Sequence, residues 1–365
     1  MNSVFSQSHC PFAMTTLKAS FSRQLLTILV SCVVFVTLPL LILSSIVFTV
    51  AHHVVLIVAR IFRPELRKAV TGIQGAMSLE DIYIRPKINI LVYYVVEGTA
   101  TKAQFSSCFH KRILSCTREN GQLMYPELRQ LKTTFLNYFF LKDDPQFDLK
   151  NHIRNYDYNG PLALPEANCD KSDLERVMGG LLAEPWKKGQ SPWEILIVNN
   201  YKEDGDDRVR TAIVVRLHHS LADGYSILKI TLRLMDKMKS AVPQPNFAKM
   251  SMMGRCAQLF NLPFKAIYYM AISMIDGYDP KHAWHLTDGK LSRQYNSCVV
   301  ERIPVNMVKE IRKRYEVNYN AVLAAVACGA IRRVMKDAGQ EVPKSMAVFM
   351  PLPLPDHPDG LVIHA

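Results

Sequence analysis

From Leu25 to Val50 the chain runs for 26 residues without one charged side chain, and this segment constrains the fold more than any other. Roughly 20 apolar residues cross the hydrocarbon core of a bilayer, so the run is long enough to span one with tilt to spare. Its polar side chains are the hydroxyls of Thr27, Ser31, Thr37, Ser44, Ser45 and Thr49 together with Cys32, and the apolar character continues past His52 and His53 to Ala59. Pro39 lies near the middle, so a short re-entrant hairpin is the alternative to a single span. A cleaved signal peptide would have a shorter apolar core followed by small residues. Here the run ends instead in Arg60, Arg63, Arg67 and Lys68. The expectation is an uncleaved membrane anchor over residues 25–59, after a tail at 1–24. Lys18 and Arg23 precede it and four basic residues follow, which favours a cytosolic location for the rest of the chain.

Nearly half of the 365 residues are apolar and about a fifth are charged, so a sizeable core can be buried as well. Lys and Arg exceed Asp and Glu by 12, yet no basic run, zinc-finger spacing or RNA-binding signature concentrates that charge, and nucleic acid is not an expected partner. The eight cysteines form no CxxC pair and no Cys/His zinc spacing. They read as reduced, buried thiols of a cytosolic compartment, with no metal site.

Residues 77–240 read as mixed α/β. Strands are expected at Asn89–Val96, Asn151–Tyr156, Trp193–Val198 and Val209–Leu217, from short β-rich apolar runs bounded by turn residues. Helices are expected at Lys102–Thr117, at Asp170–Leu182 with Asp170 or Ser172 as cap, and at Tyr225–Met238. Val242-Pro243-Gln244-Pro245 opens a linker at 241–295. Within it the Met- and aromatic-rich stretch Leu259–Ile275 is short and impure for a span, and is a candidate for a helix lying in the bilayer interface or packed on the core. Residues 296–365 begin a further α/β unit, with strands at Cys298–Ile303 and from Ala347, and helices at Val305–Tyr315 and Asn320–Lys336.

The residues that carry chemistry stand in the run His218-His219-Ser220-Leu221-Ala222-Asp223-Gly224. A strand ends at Leu217, two imidazoles follow, and an Asp-Gly pair closes a turn before a helix. A neutral imidazole titrates near cytosolic pH and suits general-base work. The aspartate can brace the loop through an arginine or a backbone amide, and Gly224 permits tight backbone geometry. A lone His-His pair would be an ordinary surface turn. The full HHxxxDG spacing at a strand end, before a helix, points to catalysis.

This run resembles the HHxxxDG motif of the CoA-dependent acyltransferase superfamily, which includes chloramphenicol acetyltransferase, plant hydroxycinnamoyl-type transferases and peptide-synthetase condensation domains. Ser191-Pro192-Trp193-Glu194 is similar to the proline–tryptophan motif of the wax ester synthase/diacylglycerol acyltransferase family within it. Asn320-Ala321-Val322, on a helix that ends in Arg332-Arg333, is similar to that family's Asn-Asp-Val helix, and Met350-Pro351-Leu352-Pro353 takes the place of its next strand. The resemblance runs from about Met77 onward and, with the anchor, is strongest to the animal members. It implies an α/β, chloramphenicol-acetyltransferase-like fold of two half-domains, 77–240 and 296–365, the second incomplete, preceded by a transmembrane helix. It implies an O-acyltransferase that esterifies a long-chain alcohol or diacylglycerol, at a membrane such as the endoplasmic reticulum. His219 would be the general base, with His218 in support, Asp223 holding the loop and Gly224 keeping a channel wall thin. Pro192, Trp193 and Asn320 would line the substrate channel. No cofactor is implied: acyl-CoA is a substrate, membrane lipid is a partner, and no acyl-enzyme forms. The net charge suits the phosphates of CoA or an anionic leaflet.

Ala321 stands where the family has aspartate, and the second half has only 70 residues, 296–365. A second reading follows from these departures: a truncated, catalytically weak product that binds lipid or pairs with a subunit. His282 and His285, which flank Trp284, lack a third ligand. Asp356-His357-Pro358-Asp359 can be read as a carboxylate–imidazole site, but its proline context favours a turn.

Overall fold

The computed structural model describes residues 11–70, 72–203, 206–235, 251–277, 282–285, 294–298, 303–348 and 357–361. The chain forms two compact units, one drawing on residues 1–53, 247–285 and 305–350, the other on 54–246, 286–304 and 351–365.

The second of these holds two sheets. Strands β1 (Leu66–Ala69), β3 (Gln130–Phe135) and β4 (Tyr138–Asp143) form an antiparallel sheet in the order β1-β4-β3. None of the three was expected from the sequence. A two-residue turn joins β3 to β4, with Leu136 at φ 47° and Asn137 at φ 64°. The main sheet has the order β2-β7-β6-β5, from β2 (Asn89–Glu97), β5 (Ile153–Asn155), β6 (Trp193–Glu203) and β7 (Asp206–His218). All pairs are antiparallel except β5 with β6. These strands fall at the expected places, and β7 begins three residues earlier than expected.

The main sheet is buried on both faces, which is why β6 reads as a continuous apolar run. On one face Trp193, Ile195, Ile197, Ile213 and Leu217 form a core with Phe109, Ile113 and Ile227, contributed by helix α3 (Lys102–Phe109), the helical turn that extends it to Leu114, and α5 (Gly224–Leu234). On the other face Leu196, Val198, Ala212 and Val214 meet Leu174, Met178 and Leu181 of α4 (Lys171–Ala183). Asp170 caps α4 through the amide of Asp173, as expected. A short helix, α2 (Gly72–Met77), follows β1.

The other unit contains the first part of α1 (Pro11–Phe62), with α6 (Met252–Asp276), α7 (Val305–Tyr315) and α8 (Tyr319–Asp337). Among the described residues one helix, over Ser22–Phe62, is long and apolar enough to cross a membrane by length and composition. Helix α6 lies against it: Ile28, Cys32, Phe35 and Val36 form a groove with Phe264, Ile267 and Tyr268. Ile267 and Ala271 are buried there, while Phe260, Leu262 and Met274 stay exposed. The α7 and α8 spans match expectation. The expected strand at Cys298–Ile303 falls mostly outside the described residues, and Ala347 and Val348 lie in irregular backbone rather than starting a strand. The described cysteines are all unpaired thiols, but Cys32, Cys256, Cys298 and Cys328 are exposed, against the expectation of burial, because each sits on an apolar helix face or irregular segment that no core covers.

Candidate active site at the end of strand β7

Side chains alternate along β7. Arg216 and His218 face the α4 side, while Leu217 faces the core of α3 and α5; His219 follows in a turn beyond the strand end. The two histidines therefore meet different surroundings.

His218 is fully buried. The backbone amide of Ser220 donates to its Nδ1 at 3.2 Å and the Ser220 hydroxyl lies 2.7 Å from the same atom. Its Nε2 contacts the Glu80 carboxylate. Because Nδ1 accepts from an amide, the ring proton resides on Nε2 and is donated to Glu80. Burial pushes the His218 pKa below the ordinary histidine value, with Glu80 opposing the shift. Glu80 also accepts from the amide of Lys87 at 3.1 Å. Both ring nitrogens of His218 are thus engaged, and its own amide donates to the Pro192 carbonyl at 2.9 Å.

His219 is half-buried. Its amide donates to Ile88 O at 3.0 Å, which fixes the backbone. Its Nδ1 is buried without a hydrogen-bond partner among the described residues. Leaving such a polar atom unmatched costs about 1–3 kcal/mol. The next turn is held by Leu221 N donating to His218 O at 3.0 Å and by the Gln74 side chain donating to Ser220 O at 2.9 Å.

Asp223 is the N-cap of α5 and accepts from the Ser226 amide at 2.8 Å. Its second oxygen meets His357 Nε2 at 2.8 Å. The brace is therefore an amide and an imidazole, where the sequence suggested an amide or an arginine. Gly224 is the first residue of α5 and its φ lies outside the left-handed region. A Cβ there would meet no described protein atom within 4 Å, which leaves open space rather than strain beside the loop.

An apolar cavity of about 180 Å³ opens between the sheet and α3 and α5, lined by Trp193, Val215, Leu217, Leu221, Ala222 and Ile230 among others. Leu221 and Ala222 belong to the loop that carries His219, and Leu217 lies in β7 just before the two histidines. Of the residues expected to line a channel, Trp193 does face this cavity. It is fixed by stacking on His152 (4.3 Å between centroids) and on Phe109, and by donating from Nε1 to Leu128 O at 2.9 Å. Pro192 does not line it; its carbonyl holds His218, and its ring faces a small pocket with Gln74, Ser220 and Leu221. Asn320 lies exposed in the first turn of α8, in the other unit.

Behind the site, Arg216 is 1% exposed and donates to Glu194 at 2.8 Å, with its guanidinium 4.0 Å over the Trp186 ring. Glu194 also accepts from Arg154 and from Tyr158 Oη. Burial and the Glu194 carboxylate push the Tyr158 phenol up to about 12. Glu80 and Gln74 were not picked out by the sequence, and His357 was named there without its link to Asp223, since each reaches the loop from a distant position.

Residues 91–260 match the family model described as the wax ester synthase/diacylglycerol acyltransferase catalytic domain. A relative from Mycobacterium tuberculosis, named a probable diacylglycerol O-acyltransferase, is 23% identical over 286 residues, covering 73% of this chain and 57% of its own length. The chain thus spans just over half the length of the curated relatives it matches. Among solved structures, the wax ester synthase/diacylglycerol acyltransferase from Marinobacter aquaeolei is similar at 14% identity and a TM-score of 0.45, over 75% of this chain and 61% of that one. A starter condensation domain of rhizomide synthetase, solved with C8-CoA, is similar at 18% identity and a TM-score of 0.31, over 46% of this chain and 34% of that one.

Proposed function

We propose that this chain, which belongs to the wax ester synthase/diacylglycerol acyltransferase family, is an acyl-CoA-dependent O-acyltransferase that esterifies diacylglycerol or a long-chain alcohol. The observation that carries the mechanism is the unequal state of the two histidines. His218 has both nitrogens committed to Ser220 and Glu80 and is fully buried, so it cannot take a proton from a substrate. His219 is half-buried, its Nδ1 has no hydrogen-bond partner among the described residues, and the loop that carries it adds Leu221 and Ala222 to the lining of the apolar cavity. In this reading His219 removes the proton of the acceptor hydroxyl, and the oxygen attacks the thioester carbonyl. The tetrahedral species collapses by breaking the C–S bond, and the departing CoA thiolate recovers the proton from His219. No acyl-enzyme is required. General-base catalysis of this kind contributes roughly 10²–10⁴-fold. The cavity takes part of an alkyl or acyl chain, consistent with its almost wholly apolar lining.

The family's two-half-domain plan is part of the same proposal, as is membrane attachment through α1, with the acyltransferase part on the cytosolic side and the endoplasmic reticulum as host membrane. The apolar face of α6 then lies in lipid beside α1, an arrangement supported by Phe260, Leu262 and Met274 being exposed on a helix that packs along the uncharged run. The test is ester synthesis by the full chain in liposomes from acyl-CoA with diacylglycerol or hexadecanol. Wild type is expected to form ester, and His219→Ala to lose at least a hundredfold in kcat. Undiminished turnover by His219→Ala refutes the mechanism.

A further inference from the structure

We propose that His357 is a positioning residue for the catalytic loop, acting through Asp223. The proposal rests on the acyltransferase reading above. The His357 side chain is completely buried, and its Nε2 donates to Asp223 Oδ2 at 2.8 Å. Asp223 thus divides its two oxygens: Oδ1 caps α5 and Oδ2 is held by the imidazole. A carboxylate's terminal torsion is broad and roughly two-fold, so one contact leaves its plane free to turn, and two fix it. The fixed carboxylate anchors one end of the loop, while the amide of His219 on Ile88 anchors the other.

The segment that carries His357 is itself strapped down. Lys229 Nζ on α5 donates to the His357 carbonyl at 2.7 Å and to Asp359 Oδ1 at 2.9 Å. Arg118 donates to the Asp359 carbonyl at 3.0 Å, and the ring of Tyr225 lies 4.8 Å from that of His357. Gly360 has φ +109°, and a Cβ there would come within 2.6 Å of Arg118 and 2.9 Å of the Met124 carbonyl. This glycine lets the chain turn so that Leu361, 2% exposed, reaches the apolar cavity. One five-residue segment, 357–361, therefore braces the loop with its first side chain and walls the cavity with its last.

Misplacement of a catalytic group by about 1 Å costs on the order of 10²-fold. His357→Ala should lower kcat by about 10- to 100-fold and leave KM for acyl-CoA within about threefold, since the brace touches no substrate. His357→Gln, whose amide can still donate to Asp223, should recover most of that loss. Asp223→Ala combined with His357→Ala should lose no more kcat than the worse single variant. Thermal unfolding of wild type, Asp223→Ala, His357→Ala and the double variant is a readout independent of turnover: the two single-variant losses in Tm should be non-additive. Additive Tm losses overturn the pairing whether or not the chain makes ester. Unchanged kcat in His357→Ala, alongside an active wild type, overturns the positioning role. A wild type without ester synthesis but with non-additive Tm losses keeps the pairing and refutes the acyltransferase reading instead.

Discussion

Filling the apolar cavity tests whether it receives an acyl chain. Ile230 projects from α5 into that space of about 180 Å³. Ile230→Phe adds three carbon atoms to the side chain. If they occupy the cavity, about three methylenes of a long chain lose their apolar contact. At about 0.8 kcal/mol per methylene that is ~2.4 kcal/mol, or roughly fifty-fold in kcat/KM. The loss should appear only for chains long enough to reach the phenyl ring, with butyryl-CoA within about twofold of wild type. Overpacking a full core costs typically 1–3 kcal/mol of stability; filling a void should cost less, so Tm should move by only a few degrees. The assay is kcat/KM for acyl-CoA from four to sixteen carbons in a detergent or liposome system. A loss equal at every chain length would mean that the substitution damages the site without measuring the chain, and would refute the assignment of the cavity.

Other outcomes follow from the same geometry. Glu194→Gln leaves Arg216 and Arg154 short of their shared carboxylate in a buried setting, and should destabilise the protein by about 3–5 kcal/mol in chemical denaturation. Leu136→Asn relieves a non-glycine residue held at φ 47° in an exposed turn and should raise stability by roughly 1 kcal/mol, seen as an increase in Tm. His152 and His218 are both held below the ordinary histidine pKa by burial. The unfolded chain therefore binds protons that the folded chain does not, and stability falls as pH drops below the unfolded value of about 6.5, by at most about 1.4 kcal/mol per pH unit for each ring. His152→Gln should flatten part of that slope in unfolding measured between pH 7.5 and 5.5; an unchanged slope would remove His152 from the account.

What could be read from the sequence followed burial. β6, β7 and α4 bury apolar side chains and β2 half-buries an apolar run, and their spans were legible from those runs. β3 and β4 carry Lys132 and Lys142 and are only partly buried, and their connecting turn lacks the glycine that usually marks a hairpin, so neither stood out. The motif histidines were visible because they are contiguous. Their supports were not, because Glu80 lies 138 positions from His218, and His357 lies 134 positions from Asp223. No local periodicity links such pairs; only the closing of the sheet brings them together. The reading of Asp356–Asp359 as a turn missed that its imidazole is the buried partner of the motif aspartate.

The alternation along β7 gives the strand a parity. Even positions near its end, Arg216 and His218, serve the frame that holds the sheet; Leu217, at an odd position, faces the apolar cavity, and His219, the proposed base, follows in the turn. Adding or removing a single residue between Ala212 and Leu217 would exchange those duties. The guanidinium of Arg216 would be driven into the apolar cavity, and His218 would lose its contact with Glu80. Substitutions in β7 can thus be tolerated one at a time, whereas a change of length by one residue cannot.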